Sequence, residues 1–287
     1  MKITGKILLF SVLTLIAGTD TFAQSLPQIQ VNHIRLVVSA DELIALRDNP
    51  FLNAELAITK STMVPANNST YPGFYLFGTN IYLEIFDTTS LFKEKGSAGV
   101  IFSVDSVGQL EEVKSALEKK YTCTTESRNR MFDGKSTPWF KALYLDEKEM
   151  QSSKIIFWIL EYDTAYFDKK QLPHPPLVVS REAYQKQFIT GKDPRILTAF
   201  TSLTLNVSAT EMQSLGKMLL DFGYRQSDNI FTAPDGFLIR MKQKSENSPS
   251  SVGSLEFTGE FYGKMEINPS PHTTILLDNN KGVMIFH

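Results

Sequence analysis

Four histidines, one cysteine and a few carboxylates set among aromatic residues are the groups in this sequence that could do chemistry. His33 opens the run Asn32-His33-Ile34-Arg35-Leu36-Val37-Val38, and Glu84 and Glu161 lie within Tyr82-Leu83-Glu84-Ile85-Phe86 and Trp158-Ile159-Leu160-Glu161-Tyr162. A carboxylate turned inward among such neighbours is costly unless it is paired or bound to a cation. Strand alternation points Glu84 with Tyr82 and Phe86, away from Leu83 and Ile85, so an aromatic-lined cavity face is expected there. A histidine at a strand start is, on general grounds, more often a hydrogen-bonded strand residue than a ligand, and both readings stay open for His33. His174 lies in the proline-rich Leu172-Pro173-His174-Pro175-Pro176; it reads as a surface residue, with a late ligand or acid over a cup as the alternative. His272 and His287 carry no functional reading, and Glu256 reads as exposed or salt-bridged. Cys123, the sole cysteine, allows no internal disulfide and has no activating neighbour. No Gly-x-Ser-x-Gly elbow, phosphate loop, dinucleotide glycine turn or His-Glu-x-x-His helix is present.

The elements that must position these groups form a repeat. Three segments share an extended apolar run, a capping residue, a Glu or Gln three positions on, and then a helix. They are Leu36 to Ser39 with Glu42, Phe102 to Ser106 with Gln109, and Leu205 to Ser208 with Glu211. Helical spacing follows in Leu43, Ile44 and Leu46, in Leu110, Val113 and Leu117, and in Met212, Leu215, Met218 and Leu219. Three strands are then expected in each unit: Thr62 to Pro65, Gly73 to Phe77 and Ile81 to Phe86; Thr122 to Ser127, Trp139 to Leu145 and Ile155 to Tyr162; Asn229 to Thr232, Phe237 to Met241 and Ser254 to Phe257. Each last strand carries a Leu-Glu pair, ending in Glu84, Glu161 and Glu256. The prolines between the second and third units mark a linker with a short helix from Arg181 to Phe188.

The N-terminus reads as a secretory leader. Lys2 and Lys6 precede an apolar run from Ile7 to Ile16, shorter than the roughly 20 residues a membrane span needs, and Thr21-Phe22-Ala23 suits cleavage after Ala23. An uncleaved anchor is the alternative. Export without disulfides suggests a bacterial periplasm or exterior. Of 29 basic and 31 acidic residues, loss of Lys2, Lys6 and Asp20 with the leader leaves 27 and 30. That near-neutral balance, without a basic block, argues against nucleic acid and anionic lipid as partners.

A βαβββ unit repeated in tandem, with His33 early in the first strand and a glutamate on the last, resembles the vicinal oxygen chelate superfamily, and most closely a bacterial group of glyoxalase-like proteins. The likeness rests on the runs around His33, Glu84 and Glu161 together with Asn49-Pro50-Phe51-Leu52 and Tyr75-Leu76-Phe77-Gly78. It implies an α+β fold with two paired units over 30–165 and a third unit with extra strands over 196–287, which the leader over 1–23 precedes and the proline-marked linker over 166–195 divides. The same resemblance implies metal ligands at His33, Glu84 and Glu161, while the fourth position falls at Gly99, which cannot bind. Tyr82, Phe86, Trp158 and Tyr162 would line the pocket. The implied function is that of an exported protein holding a small organic molecule, as a lyase, isomerase or dioxygenase using one divalent ion. Zn or Mn would suit an exported site better than readily oxidised Fe. The alternative is a metal-free sequestering module or a structural interaction protein, and Gly99 favours the metal-free form. A homodimer is implied by analogy. Export also separates the chain from cytosolic glutathione, which argues against a methylglyoxal substrate.

Overall fold

Alternation in the first strand decides which side of the sheet carries the chemistry. β1 (Gln30–Val38) sends Ile34 and Leu36 into a large apolar core, so His33, Arg35 and Val37 face the other way. A computed structural model describes residues 26–66, 69–90, 94–146, 153–189, 195–245 and 248–287, so the expected leader lies outside the described residues. Among the described residues no helix is long and apolar enough to cross a membrane.

The first unit continues with α1 (Ala40–Asp48), β2 (Ile58–Ala66), β3 (Ser69–Phe77) and β4 (Tyr82–Asp87). The second is β5 (Ala98–Ser103), α2 (Gln109–Leu117), β6 (Thr122–Phe132), β7 (Lys135–Asp146) and β8 (Ile155–Tyr162). Both have the expected strand, helix and three strands. They join into one eight-stranded sheet of order β2-β3-β4-β1-β5-β8-β7-β6, with β1 and β5 antiparallel at its centre. Two short helices follow, α3 (Thr164–Lys170) and α4 (Arg181–Lys186).

The third unit is β9 (Leu197–Val207), α5 (Ala209–Asp221), β10 (Arg225–Ser227), β11 (Ile230–Thr232) and β12 (Leu238–Gln243). Here the strand assignment by sequence was off by one. Arg225-Gln226-Ser227 is exposed and has no apolar alternation to mark it, yet it pairs with β11 around a turn at Asp228. Glu256 therefore lies not on the last strand of the third unit but on β13 (Ser251–Gly259), the first strand of a further set. With β14 (Lys264–Ser270), β15 (Thr273–Asp278) and β16 (Lys281–Phe286), β13 completes a second eight-stranded sheet, β10-β11-β12-β9-β13-β16-β15-β14. Its central β9–β13 pair repeats the β1–β5 pairing, so both junctions between units are made within one chain.

One core joins the two sheets. Leu43, Leu110, Val113, Leu215 and Leu219 of the helices pack with Ile34, Phe102 and Phe157 of the first sheet and Leu203 and Phe257 of the second. Phe102 meets Phe222 edge to face at 5.1 Å, and truncating either ring would cost about 3–5 kcal/mol. The helices start as capping chemistry dictates in two units of three. Ser39 accepts from the Glu42 N–H, and Ser208 with Glu211 forms a full capping box. In the second unit the N-cap is Gly108 in a left-handed conformation, with no side chain to offer.

Candidate functional site in the first cup

β1 and β4 run parallel, with His33 opposite Tyr82, Arg35 opposite Glu84 and Val37 opposite Phe86. Because Leu83 and Ile85 enter the core with Ile34 and Leu36, His33, Arg35 and Glu84 share the concave face. His33 Nε2 lies 3.5 Å from Glu84 Oε2, and the two side chains are 6% and 15% exposed. Its Nδ1 lies 2.8 Å from Asn32 Oδ1, which accepts from the imidazole in the tautomer that carries its proton on Nδ1. Asn32 sits at a register shift in β1, and its Oδ1 also accepts from the Tyr162 hydroxyl at 3.2 Å. The imidazole stacks on Tyr82 at 4.5 Å and meets Trp158 at 6.1 Å.

Arg35 is the component that sequence reasoning passed over, although its place two residues after His33 puts it on the same face. It is buried, which draws its pKa below the ordinary value, and the Glu84 carboxylate works against that loss. A guanidinium remains charged, so Arg35 is a fixed cation beside Glu84. Across the sheet its register partner is Gly99, where a Cβ would come 3.1 Å from Arg35 Nη2.

The walls of the cup are Phe77, Tyr82, Trp158 and Tyr162, packed with Tyr166, Phe167 and Tyr184 from the segment after β8. Tyr184 stacks on Tyr162 and Phe188 on Phe77, each at 4.4 Å. This segment, which composition marks as a linker, is thus a strap seated in the cup. Beneath it remains a cavity of about 40 Å³ reaching Lys60, Tyr75, Glu84, Arg130, Trp139 and Phe188. That holds water but not an organic molecule, for which roughly 300 Å³ or more is usual. Three N–H donors of the cup, on Asn32 Nδ2, Trp139 Nε1 and Trp158 Nε1, are buried without an acceptor among the described residues.

Glu161 does not join this cluster. Alternation along β8 puts Trp158, Leu160 and Tyr162 in the cup and sends Glu161 to the helix side with Ile159 and Phe157. There its Oε2 accepts from the Leu110 N–H at 2.8 Å, supplying α2 with the cap that Gly108 lacks. Of the four aromatic pocket residues, Tyr82, Trp158 and Tyr162 line the cup, whereas Phe86 lies farther along β4 against Tyr71 at 5.2 Å. His174 is tied to Asp168 at 3.3 Å and the Pro175 carbonyl at 3.1 Å. Burial pushes the Cys123 thiol up, away from the reactive thiolate. Glu256 is salt-bridged to Arg240 at 2.8 Å.

A larger cavity, about 850 Å³, opens in the second sheet between residues including Thr201, Glu256, Met265, Leu276 and Val283. Its size suits a ligand, but its charges are in part paired already, Glu256 with Arg240 and Lys264 with Asp278 at 3.0 Å. Cavity size and chemistry therefore separate: the buried polar cluster belongs to the first cup.

The set implied for a divalent ion does not fit these residues. His33 and Glu84 offer two donors, Glu161 faces the opposite side of the sheet, and the Arg35 guanidinium covers the fourth position at Gly99. A fixed cation there repels a second one. Among the described residues no three of His, Cys, Asp and Glu gather as a metal site.

A family model matches residues 31–254. The chain belongs to DUF5829, a family of unknown function. The match spans both units of the first sheet and ends within β13, so the strap and α5 are part of what defines this DUF5829 chain. No curated protein matches it in sequence. Among solved structures, a triple mutant of 4-hydroxymandelate synthase from Streptomyces coelicolor is 11% identical, with 79% of this chain and 70% of that one covered at a TM-score of 0.48. A putative dioxygenase from Bacillus subtilis is also 11% identical, with 88% and 82% covered at a TM-score of 0.30. The tandem βαβββ architecture of this DUF5829 chain is the one the vicinal oxygen chelate resemblance implies.

Proposed function

We propose that this chain is a metal-independent binding protein for a small organic molecule, taken into the first cup with His33, Arg35 and Glu84 at the base. The observation that carries the reading is Arg35. Its guanidinium supplies, as a fixed part of the chain, the positive charge that a metal would bring to Glu84. Glu84 stays partly exposed to the residual cavity and can accept a hydrogen bond from a ligand hydroxyl or amine. The unpaired donors on Asn32, Trp139 and Trp158 favour a ligand that also brings acceptors. Entry requires Phe188 and Tyr184 to move aside, so binding would couple to displacement of the strap. The N-terminal leader is consistent with a role outside the cytoplasm.

Ligand-induced thermal shifts over a library of small aromatic compounds test this. Stabilisation should persist in EDTA and be lost in Glu84→Gln. Stabilisation that appears only with added Zn or Mn, and vanishes in Glu161→Gln, would instead support a metal-dependent lyase, isomerase or dioxygenase.

A further inference from the structure

The mouth of the first cup carries two cations that no carboxylate among the described residues pairs. Lys60 on β2 and Arg130 on β6 come from the two outer strands of the first sheet, which curls until both line the same cavity. Lys60 Nζ sits 5.1 Å from the Phe188 ring centroid, and the Arg130 guanidinium sits 4.4 Å from that of Trp139. Arg130 also donates to the Tyr166 hydroxyl at 3.4 Å. Among the described residues no carboxylate pairs with either cation. Partial desolvation, then Arg130 and Lys170, draw the Lys60 pKa below its ordinary value, although the residue stays exposed at the rim. Beside them the Trp139 Nε1–H is buried without an acceptor. Two cations thus line one opening together with Trp139, whose indole N–H also lacks an acceptor, and a negatively charged oxygen would suit all three donors. The surfaces around them are flat and apolar: Tyr75, Phe77 and Tyr184.

We infer that this mouth is a carboxylate subsite formed by Lys60, Arg130 and Trp139, and that the ligand class is a small aromatic carboxylic acid. The carboxylate takes the two cations and the indole N–H, the ring lies against Phe77 and Tyr75 in the space Phe188 now fills, and Glu84 accepts from any hydroxyl at the far end. This rests on the cup being a binding site and specifies what it selects.

The two tryptophans of the chain, Trp139 and Trp158, both belong to the cup, so their fluorescence reports occupancy directly. Benzoate, benzamide and inorganic phosphate serve as probes of the purified protein and of Phe188→Ala, in which the strap's plug is removed. Benzoate is expected to quench at least about tenfold more tightly than benzamide, a difference of about 1.4 kcal/mol. Lys60→Met and Arg130→Gln should each weaken benzoate about tenfold and leave benzamide unchanged. Equal binding of benzoate and benzamide overturns the carboxylate subsite while the cup remains a binding site. Phosphate binding as tightly as benzoate overturns the aromatic class. Quenching by none of the three, in either protein, overturns the cup as a binding site and the subsite with it.

Discussion

Arg35 lies over Gly99: the two are register partners on β1 and β5, and a Cβ at Gly99 would stand 3.1 Å from Arg35 Nη2 and 3.0 Å from Ile101 Cδ1. The absence of a side chain at Gly99 is therefore what admits a buried guanidinium at the centre of the cup. Gly99→Ala should destabilise by about 1–3 kcal/mol, the usual cost of overpacking, because the buried ends of Arg35 and Ile101 would both have to shift by a few tenths of an ångström. Urea denaturation reads this as a lower midpoint with unchanged slope, and an unshifted midpoint would mean that Arg35 is not held there.

Glu161 caps α2 rather than binding a ligand or ion. Glu161→Ala should lower stability by about 1–3 kcal/mol, since a buried N–H at a helix start loses its acceptor. Quenching of Trp139 and Trp158 by bound benzoate should not change. A variant of full stability with altered quenching would contradict this placement.

Phe188 plugs the cup by stacking on Phe77. Phe188→Ala should raise ligand affinity and also open Trp139 to acrylamide, visible as steeper Stern–Volmer quenching. If quenching is unaltered, the strap does not control access.

Acid should loosen the junction between the two sheets at Glu211. Burial alone would raise this carboxyl's pKa, but hydrogen bonds from Ser153, Ser250 and Ser208 outweigh it and hold the value at about 2, against 4.5 ordinarily. Its pKa is lower folded than unfolded, so its contribution is complete above about pH 4.5 and disappears as pH falls towards 2. Glu211→Gln should flatten the fall of the urea midpoint between pH 5 and pH 3, over roughly that window. A slope identical to wild type would show that these hydrogen bonds do not favour the ionised form.

The leader should be removed after Ala23, leaving Gln24 as the first residue of the protein recovered from the periplasm or medium. N-terminal sequencing decides between this and retention of the apolar run.

Local rules made most of the fold legible. Alternation fixed the strands of the first two units and placed Glu84 beside Tyr82, and Ser39 and Ser208 marked two helix starts. Glu161 shows where such rules stop. The Leu-Glu pairs of β4 and β8 look equivalent, and alternation already sets Glu84 with Tyr82 but Glu161 opposite Trp158 and Tyr162; what no local rule shows is that Glu161 caps α2, fifty-one positions away, where Gly108 has no side chain to offer. The polar Arg225-Gln226-Ser227 has no periodic signal because its pairing with β11, rather than burial, makes it a strand. Arg35 was legible in principle, two residues from His33, but its meaning depended on Gly99, sixty-odd positions away. The sequence by itself determined the units, their helices and the chemistry available at each face, because those follow from local periodicity and capping. Only the tertiary structure decided that Arg35 completes the polar cluster, that Lys60 and Arg130 meet at one opening and that the strap fills the cup, because contacts between distant segments depend on how the whole sheet curls.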